Sequence, residues 1–260
     1  MDWSTTYAAI YRARKDRLKP VFELDTISLK ELVGLESQKQ ALMDNTLNFI
    51  QEKGANHALL WGAKGTGKSS LIKAVFNEFK EQGLRLVELA KDDLFALCDI
   101  IDELRNEPYK FILFCDDFSF EENDTSYKFL KPLLDGSIEK APKNILIYAS
   151  SNRRHLLKEN LEDNQNIQVI HGELHLSDAA EEKLSLSDRF GLWLSFYQGN
   201  LEEYLKIVDF YFQNEELDRE LLHTKAKEFA NLRASRGART AKQFYLAFKE
   251  NLKNLKQGKS

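Results

Sequence analysis

With 260 residues the chain has room for about two domains, and its 43% hydrophobic content is enough for a buried core. The 37 Lys/Arg against 41 Asp/Glu leave a formal net charge of −4, which excludes a surface that binds polyanions everywhere. Cys98 and Cys115 are the only cysteines, with no CxxC spacing, which excludes a disulfide framework. Nowhere do about 18 apolar residues run together. The opening MDWSTTYAAIYRARKDR has no apolar stretch followed by a small-residue cleavage site. The expectation is a reduced, cytoplasmic protein. Charge is nevertheless segregated. Asp92 to Asp135 holds 4 Lys/Arg against 12 Asp/Glu, and Arg219 to Ser260 holds 11 against 3. Such asymmetry can guide self-assembly or attract a polyanion, or simply solvate a helical face.

In chain order, residues 1–57 read as polar and helical. They end in a segment with Leu32, Leu35, Leu42, Phe49 and Ile50 at roughly helical spacing. Residues 1–30 form a predicted N-terminal helical extension. From 58 the rhythm changes, with short apolar runs at 58–61 (ALLW), 84–89 (LRLVEL), 111–115 (FILFC), 145–148 (ILIY) and 192–196 (LWLSF). Runs this short, without strict alternation, predict strands buried on both faces. Helical repeats separate them: Leu71, Val75 and Phe79, then Leu94, Leu97, Ile101 and Leu104. Strand and helix in alternation predict an α/β domain over 31–197, a five-stranded parallel sheet sandwiched by helices.

After Phe196 the strand rhythm stops. Leu201, Tyr204, Val208 and Phe212 mark one amphipathic helix, and Ala241, Phe244, Phe248 and Leu252 another, with room for a third over 217–232. Residues 198–260 are therefore predicted to be a separate all-helical unit. Its Phe/Tyr faces read as core rather than as a base-stacking platform.

The strongest motif is Gly62-Ala63-Lys64-Gly65-Thr66-Gly67-Lys68-Ser69, a match to GxxxxGK[ST] between a strand and a helix. Its glycines let successive backbone N–H groups turn inward around phosphate oxygens. The helix opened by Lys68, Ser69 and Ser70 presents its N-terminus to the same anion. Lys68 brings a full charge to the β- and γ-phosphates and Ser69 a hydroxyl to Mg²⁺. A surface turn rich in Gly and Lys is the plain alternative.

Such a loop needs a carboxylate for the metal. Phe111 to Cys115 runs into Asp116-Asp117 at the carboxyl end of a predicted strand, where ligands bind in open α/β sheets. Asp116 is the candidate Mg²⁺ residue and Asp117 the candidate for orienting or deprotonating the attacking water. Asn152, after the next strand, is a candidate γ-phosphate or water contact, although asparagine there is also ordinary turn chemistry. Arg153 and Arg154 read as surface residues. His171, Glu173 and His175 alternate and would share one face of a strand, a pattern that suits metal but more often marks an exposed strand.

These elements together resemble an AAA+ ATPase. The strings LLWGAKGTGKSSL, FILFCDDFSFE, IYASSNRRHL and EEKLSLSDRFGLWLSFY are similar to a bacterial group of AAA+ ATP-binding proteins known as a domain of unknown function. The resemblance covers about residues 30 to 250 and implies ATP and Mg²⁺ as ligands. It implies that Val33 and Gly34, within Leu32-Val-Gly-Leu35, lie at the adenine. It makes Arg189 the arginine finger offered to a neighbouring subunit. Arg239 matches the sensor arginine of a helical lid, with Arg236 competing for that role. Many members carry Asp-Glu where this chain has Asp116-Asp117, which puts the turnover rate in question. The implied function is a homo-oligomeric ATPase, ring or filament-like, remodelling or loading an unknown protein client. The alternative is a nucleotide-gated module for nucleic acid or a replication-type partner, with slow or no hydrolysis. An Asn-Lys-x-Asp string and an LSGGQ string are both absent, against a GTPase and an ABC transporter.

Overall fold

The structure, a computed structural model, describes residues 1–118, 126–130, 133–134, 138–152, 168–170, 173–175 and 188–257. A hairpin of β1 (Ala8–Arg12) and β2 (Arg17–Val21) leads into α1 (Glu36–Ile50). There follow β3 (Ala58–Gly62), α2 (Lys68–Phe79), β4 (Leu84–Glu88), α3 (Leu97–Leu104), β5 (Lys110–Cys115) and β6 (Ile145–Ser151). A small hairpin, β7 (Gln168–Ile170) and β8 (Glu173–His175), precedes β9 (Leu192–Phe196). Three helices close the chain: α4 (Leu201–Tyr211), α5 (Arg219–Leu232) and α6 (Ala238–Gln257).

The main sheet has the order β2-β1-β4-β5-β6-β3-β9. All neighbours are parallel except β1 with β2. Its run of five strands from β4 to the edge strand β9 is the predicted parallel sheet. Helices cover both faces, and the inner strands β5 and β6 bury both alternations. In β5, Phe111, Leu113 and Cys115 join one core cluster while Ile112 and Phe114 join the other. In β6, Ile145, Ile147 and Ala149 divide from Leu146 and Tyr148 in the same way. This two-faced burial is why the runs read as uniformly apolar.

The sheet has seven strands rather than five, and residues 1–30 hold a hairpin rather than helices. Their only helical turns are three-residue 3-10 pieces at Ala13–Lys15 and Leu29–Glu31. The sequence AAIYR favours helix by composition, since alanine and arginine are strong helix formers. Tertiary pairing overrides that preference. Ala8, Ala9 and Ile10 pair with Leu86, Val87 and Glu88, some 78 positions away. Trp3 anchors the segment by packing edge-on against Phe111 at 4.9 Å. Its carbonyl accepts from the buried Arg85 guanidinium (2.8 Å), which lies between the rings of Tyr7 and Tyr109.

α4 starts at Asn200, whose side chain accepts from the Glu203 amide (2.9 Å) while Glu203 accepts from the Asn200 amide (3.1 Å). The three last helices share a core of Tyr204, Val208, Phe212, Leu222, Ala226, Ala230, Ala241 and Phe244. The predicted aromatic faces thus pack inward. Among the described residues no helix is long and apolar enough to cross a membrane. None of their His, Cys, Asp and Glu side chains form a group of three suited to a metal. His171, Arg153 and Arg154, with most of the 155–186 segment, lie outside the described residues.

Candidate functional site

The site stands at the carboxyl ends of β3, β5 and β6. β3 ends at Gly62, whose φ of +136° and position make any side chain impossible. A Cβ there would meet the Phe196 carbonyl oxygen at 1.8 Å. The Ala63 amide donates to that same oxygen (3.1 Å), tying the loop to β9. Gly65 and Gly67 also adopt positive φ, +79° and +101°, and Gly67 caps α2 in the left-handed conformation. The loop thereby aims the N-terminus of a twelve-residue helix into the cleft.

Lys68, only 6% exposed, donates to the Gly62 and Ala63 carbonyls (2.9 and 2.8 Å) and to Asn152 Oδ1 (3.1 Å). Burial pulls its ammonium below the usual lysine range, the Arg239 charge adds to that, and Asp116 and Asp117 oppose it. Asn152 then donates from Nδ2 to Asp117 Oδ1 (2.6 Å), so one amide joins the loop lysine to the acidic pair. Ser69 donates to Asp116 Oδ1 (2.6 Å). The same oxygen accepts from the Ser150 hydroxyl and the Asp117 amide.

Asp117 has φ +51°, in the left-handed region that residues other than glycine seldom occupy. β6 holds it there. Cys115 pairs with Ala149, so Ser150 stands opposite the acidic pair. The Ser150 carbonyl accepts from the Phe118 amide (2.6 Å) and its hydroxyl from the Asp117 amide (3.3 Å). Phe118 packs edge-on against Phe190, the residue after Arg189, with ring centroids 6.3 Å apart.

These residues line a cleft of about 420 Å³ shared by the α/β part and the last helices. Lys64, Gly65, Thr66, Gly67, Lys68, Ser69 and Ser70 line it, as do Asp116, Asp117, Asn152 and Arg239. The Arg239 amide approaches the Gly65 carbonyl at 3.5 Å. Arg236 instead lines a separate cleft with Gln198 and Ser235. Gly62 and Ala63 lie behind the loop, their carbonyls turned to Lys68. Val33 and Gly34 do not line the cleft; Ile27, Glu31 and Leu32 of the same strap do. Asn77 fixes that strap to α2 by donating to the Asp25 and Ile27 carbonyls (2.7 and 2.9 Å), and Lys73 pairs with Asp25 (3.4 Å). Arg189 is partly buried before β9 and is not a cleft residue.

Sequence reasoning missed Ser150, Lys73, Tyr211, Lys242 and the exact strap residues. Helical spacing carried a signal for two of them: Lys73 follows Ser69 by one turn, and Lys242 follows Arg239 by one turn. Ser150 sits in the string that supplied Asn152. Tyr211 had no such signal. It closes the cleft from α4, stacked on Tyr245 (5.4 Å), and burial followed by the Glu31 charge raises its phenol.

The donor set suits a nucleotide with a hard cation. Five cations (Lys64, Lys68, Lys73, Arg239, Lys242) face three carboxylates (Glu31, Asp116, Asp117). The Ser69 hydroxyl and Asp116 carboxylate offer oxygen ligands side by side.

Comparison with solved structures agrees with this architecture. The FIGL-1 AAA domain in complex with ADP matches with a TM-score of 0.54 at 17% identity, over 80% of this chain and 68% of that one. An arginine-to-alanine variant of RuvB from Thermotoga maritima matches with a TM-score of 0.50 at 14% identity, over 87% and 73%. The RuvB Holliday junction branch migration motor itself gives 0.49 at 14% identity, over 85% and 72%. At 17% identity the likeness to the FIGL-1 AAA domain is one of fold, and that fold is AAA+. None of the curated proteins matches the chain in sequence. The model of the family described as "Protein of unknown function (DUF815)" matches residues 4–252. Spanning nearly the whole chain, that match makes this protein a member of the DUF815 family, built on the AAA+ fold.

Proposed function

We propose that the protein binds Mg·ATP in this cleft and hydrolyses it, working as a homo-oligomer whose sites are completed by a neighbouring subunit. One observation carries the reading: a continuous hydrogen-bonded path from Lys68 through Asn152 to Asp117, beside the Ser69–Asp116 pair. Lys68 and the loop amides hold the phosphates, and Ser69 and Asp116 hold Mg²⁺. The bound ion supplies charge neutralisation on the phosphate oxygens. Asp117 orients the attacking water and takes its proton, with Asn152 fixing its carboxylate. Residues 31–197 form the nucleotide-binding domain and 198–260 a lid whose Arg239 senses the γ-phosphate.

Arg189 belongs to the next subunit's site. It lies outside its own cleft, and the Phe118–Phe190 contact ties its position to the acidic pair. A homo-oligomer, ring or filament, remodelling a protein client is the form of work this arrangement serves. Lys68→Ala is expected to lose ATP affinity and turnover together, whereas Asp117→Asn keeps affinity and lowers turnover by roughly 100-fold. A Lys68→Ala protein with full affinity and turnover would defeat the reading. A second reading, a nucleotide-gated nucleic-acid module with slow turnover, is favoured by the shorter Asp117 and by the basic segment from Arg219 onward.

A further inference from the structure

The hairpin that the sequence concealed ends in a concentrated charge. Arg12, Arg14, Lys15, Arg17 and Lys19 are all exposed, within eight residues that hold one acid. That acid, Asp16, is exposed and accepts from the Tyr11 hydroxyl (2.7 Å). Tyr11 pairs with Leu18 and both are buried, which sends Arg12, Arg17 and Lys19 to the opposite face. Arg12 and Arg17 are direct cross-strand partners. Like charges so placed destabilise a hairpin. No ion pair among the described residues involves any of the five. Outside the hairpin, the Arg12 charge acts at longer range on the Asp93 carboxyl.

We propose that this hairpin tip docks on the phosphate backbone of duplex nucleic acid. A two-stranded ribbon has the width that the major groove admits, and three of the five cations are arginines, which suit phosphate. An anionic membrane fits less well, because interfacial segments bring exposed apolar residues with their charges. Tyr11 and Leu18, the large apolar residues of the tip, point into the protein.

Placement gives the tip a connection to the cleft. β1 runs parallel to β4, so its carboxyl end and the turn beyond it rise at the sheet end that carries Gly62, Asp116 and Asn152. From Val21 the chain passes straight into the strap held on α2 by Asn77, and thence to the cleft at Ile27, Glu31 and Leu32. The proposal rests on the ligand class of the second reading, places it at the hairpin rather than at the basic segment from Arg219, and stands whether or not ATP is hydrolysed.

The test is fluorescence anisotropy of a labelled DNA duplex of about 30 base pairs with the full chain, as a function of salt. The triple variant Arg14→Ala, Lys15→Ala, Arg17→Ala is expected to raise Kd at least about tenfold near 0.1 M salt and to flatten the log–log salt slope by about 2 to 3. A Lys225→Ala, Lys227→Ala control removes two exposed cations from α5 and is expected to change Kd less than about twofold. Circular dichroism and the thermal midpoint confirm that each variant folds. An unchanged Kd in the triple variant, an equal loss in the control, or no binding by wild type at low salt would overturn the proposal. So would tip-dependent binding to phosphatidylserine vesicles in place of the duplex. The ATP reading fails separately: Lys68→Ala should still bind the duplex, and the tip variant should keep its DNA-free ATP turnover.

Discussion

Gly237, in the turn before α6, faces the carbonyl oxygen of Gly65 so closely that a Cβ on it would stand 2.9 Å away. The phosphate loop and the lid therefore meet backbone to backbone, with no side chain between them. Gly237→Ala must push the start of α6, and Arg239 with it, out of the cleft. The expected result is a KM for ATP raised about tenfold, with stability lowered by no more than about 2 kcal/mol. Steady-state kinetics and a thermal melt distinguish this from general unfolding, which would lower kcat and Tm together.

Ser150→Ala removes the hydroxyl that serves both Asp116 and the Asp117 amide. Side chains that orient metal ligands typically carry a factor of about 10 to 100 in metal affinity. The Mg²⁺ concentration for half-maximal turnover is expected to rise by about that factor. Nucleotide binding in EDTA should be unchanged. An unchanged Mg²⁺ titration would remove Ser150 from the site.

A finger acting between subunits predicts complementation. Lys68→Ala and Arg189→Ala proteins, each inactive alone, form some intact composite sites when mixed. Random mixing in equal amounts leaves about one site in four with both groups present. Turnover near that fraction of wild type is expected. No recovery, with assembly verified by light scattering, would mean that Arg189 acts within its own chain or not at all.

His57 gives the fold an acid limit. Its Nδ1 accepts from the Ile147 amide (2.9 Å), which requires the neutral ring, and burial pushes its pKa down to about 4 from 6.5. Between those values the unfolded chain binds the extra proton and the folded chain does not, so stability falls as pH drops from 6.5 to 4. The loss is on the order of 2 kcal/mol once its partial exposure is allowed for. Denaturant melts at pH 7 and pH 4.5 measure it. His57→Asn, which keeps an acceptor that does not titrate, is expected to flatten that slope.

The strands β3, β4, β5, β6 and β9 were legible as short apolar runs, which in β5 (FILFC) reflects burial on both faces. The loop and the acidic pair were legible because their chemistry fixes residue type and spacing locally. What stayed hidden depends on partners far along the chain. AAIYR enters the main sheet by pairing with residues 86–88, and Trp3 packs against Phe111. Ser150 gains its role from the sheet register that sets it opposite Asp116. Tyr211 lines the cleft because α4 folds back over the strap at Glu31. Around Val33 and Gly34 the motif marks where the strap turns, at Gly34 with φ +81°, while Leu32, two positions earlier, lines the cleft.

Asp117 carries a consequence for the evolution of the chain. It combines a left-handed backbone with a second carboxylate beside Asp116, and both are unfavourable in the absence of metal. Asparagine tolerates that backbone, has an oxygen that can still accept from Asn152, and relieves the repulsion. Without Mg²⁺, Asp117→Asn should therefore melt higher than wild type, by about 1 kcal/mol, while losing turnover. Selection for robustness alone would discard this carboxylate, so activity and durability pull in opposite directions at one position.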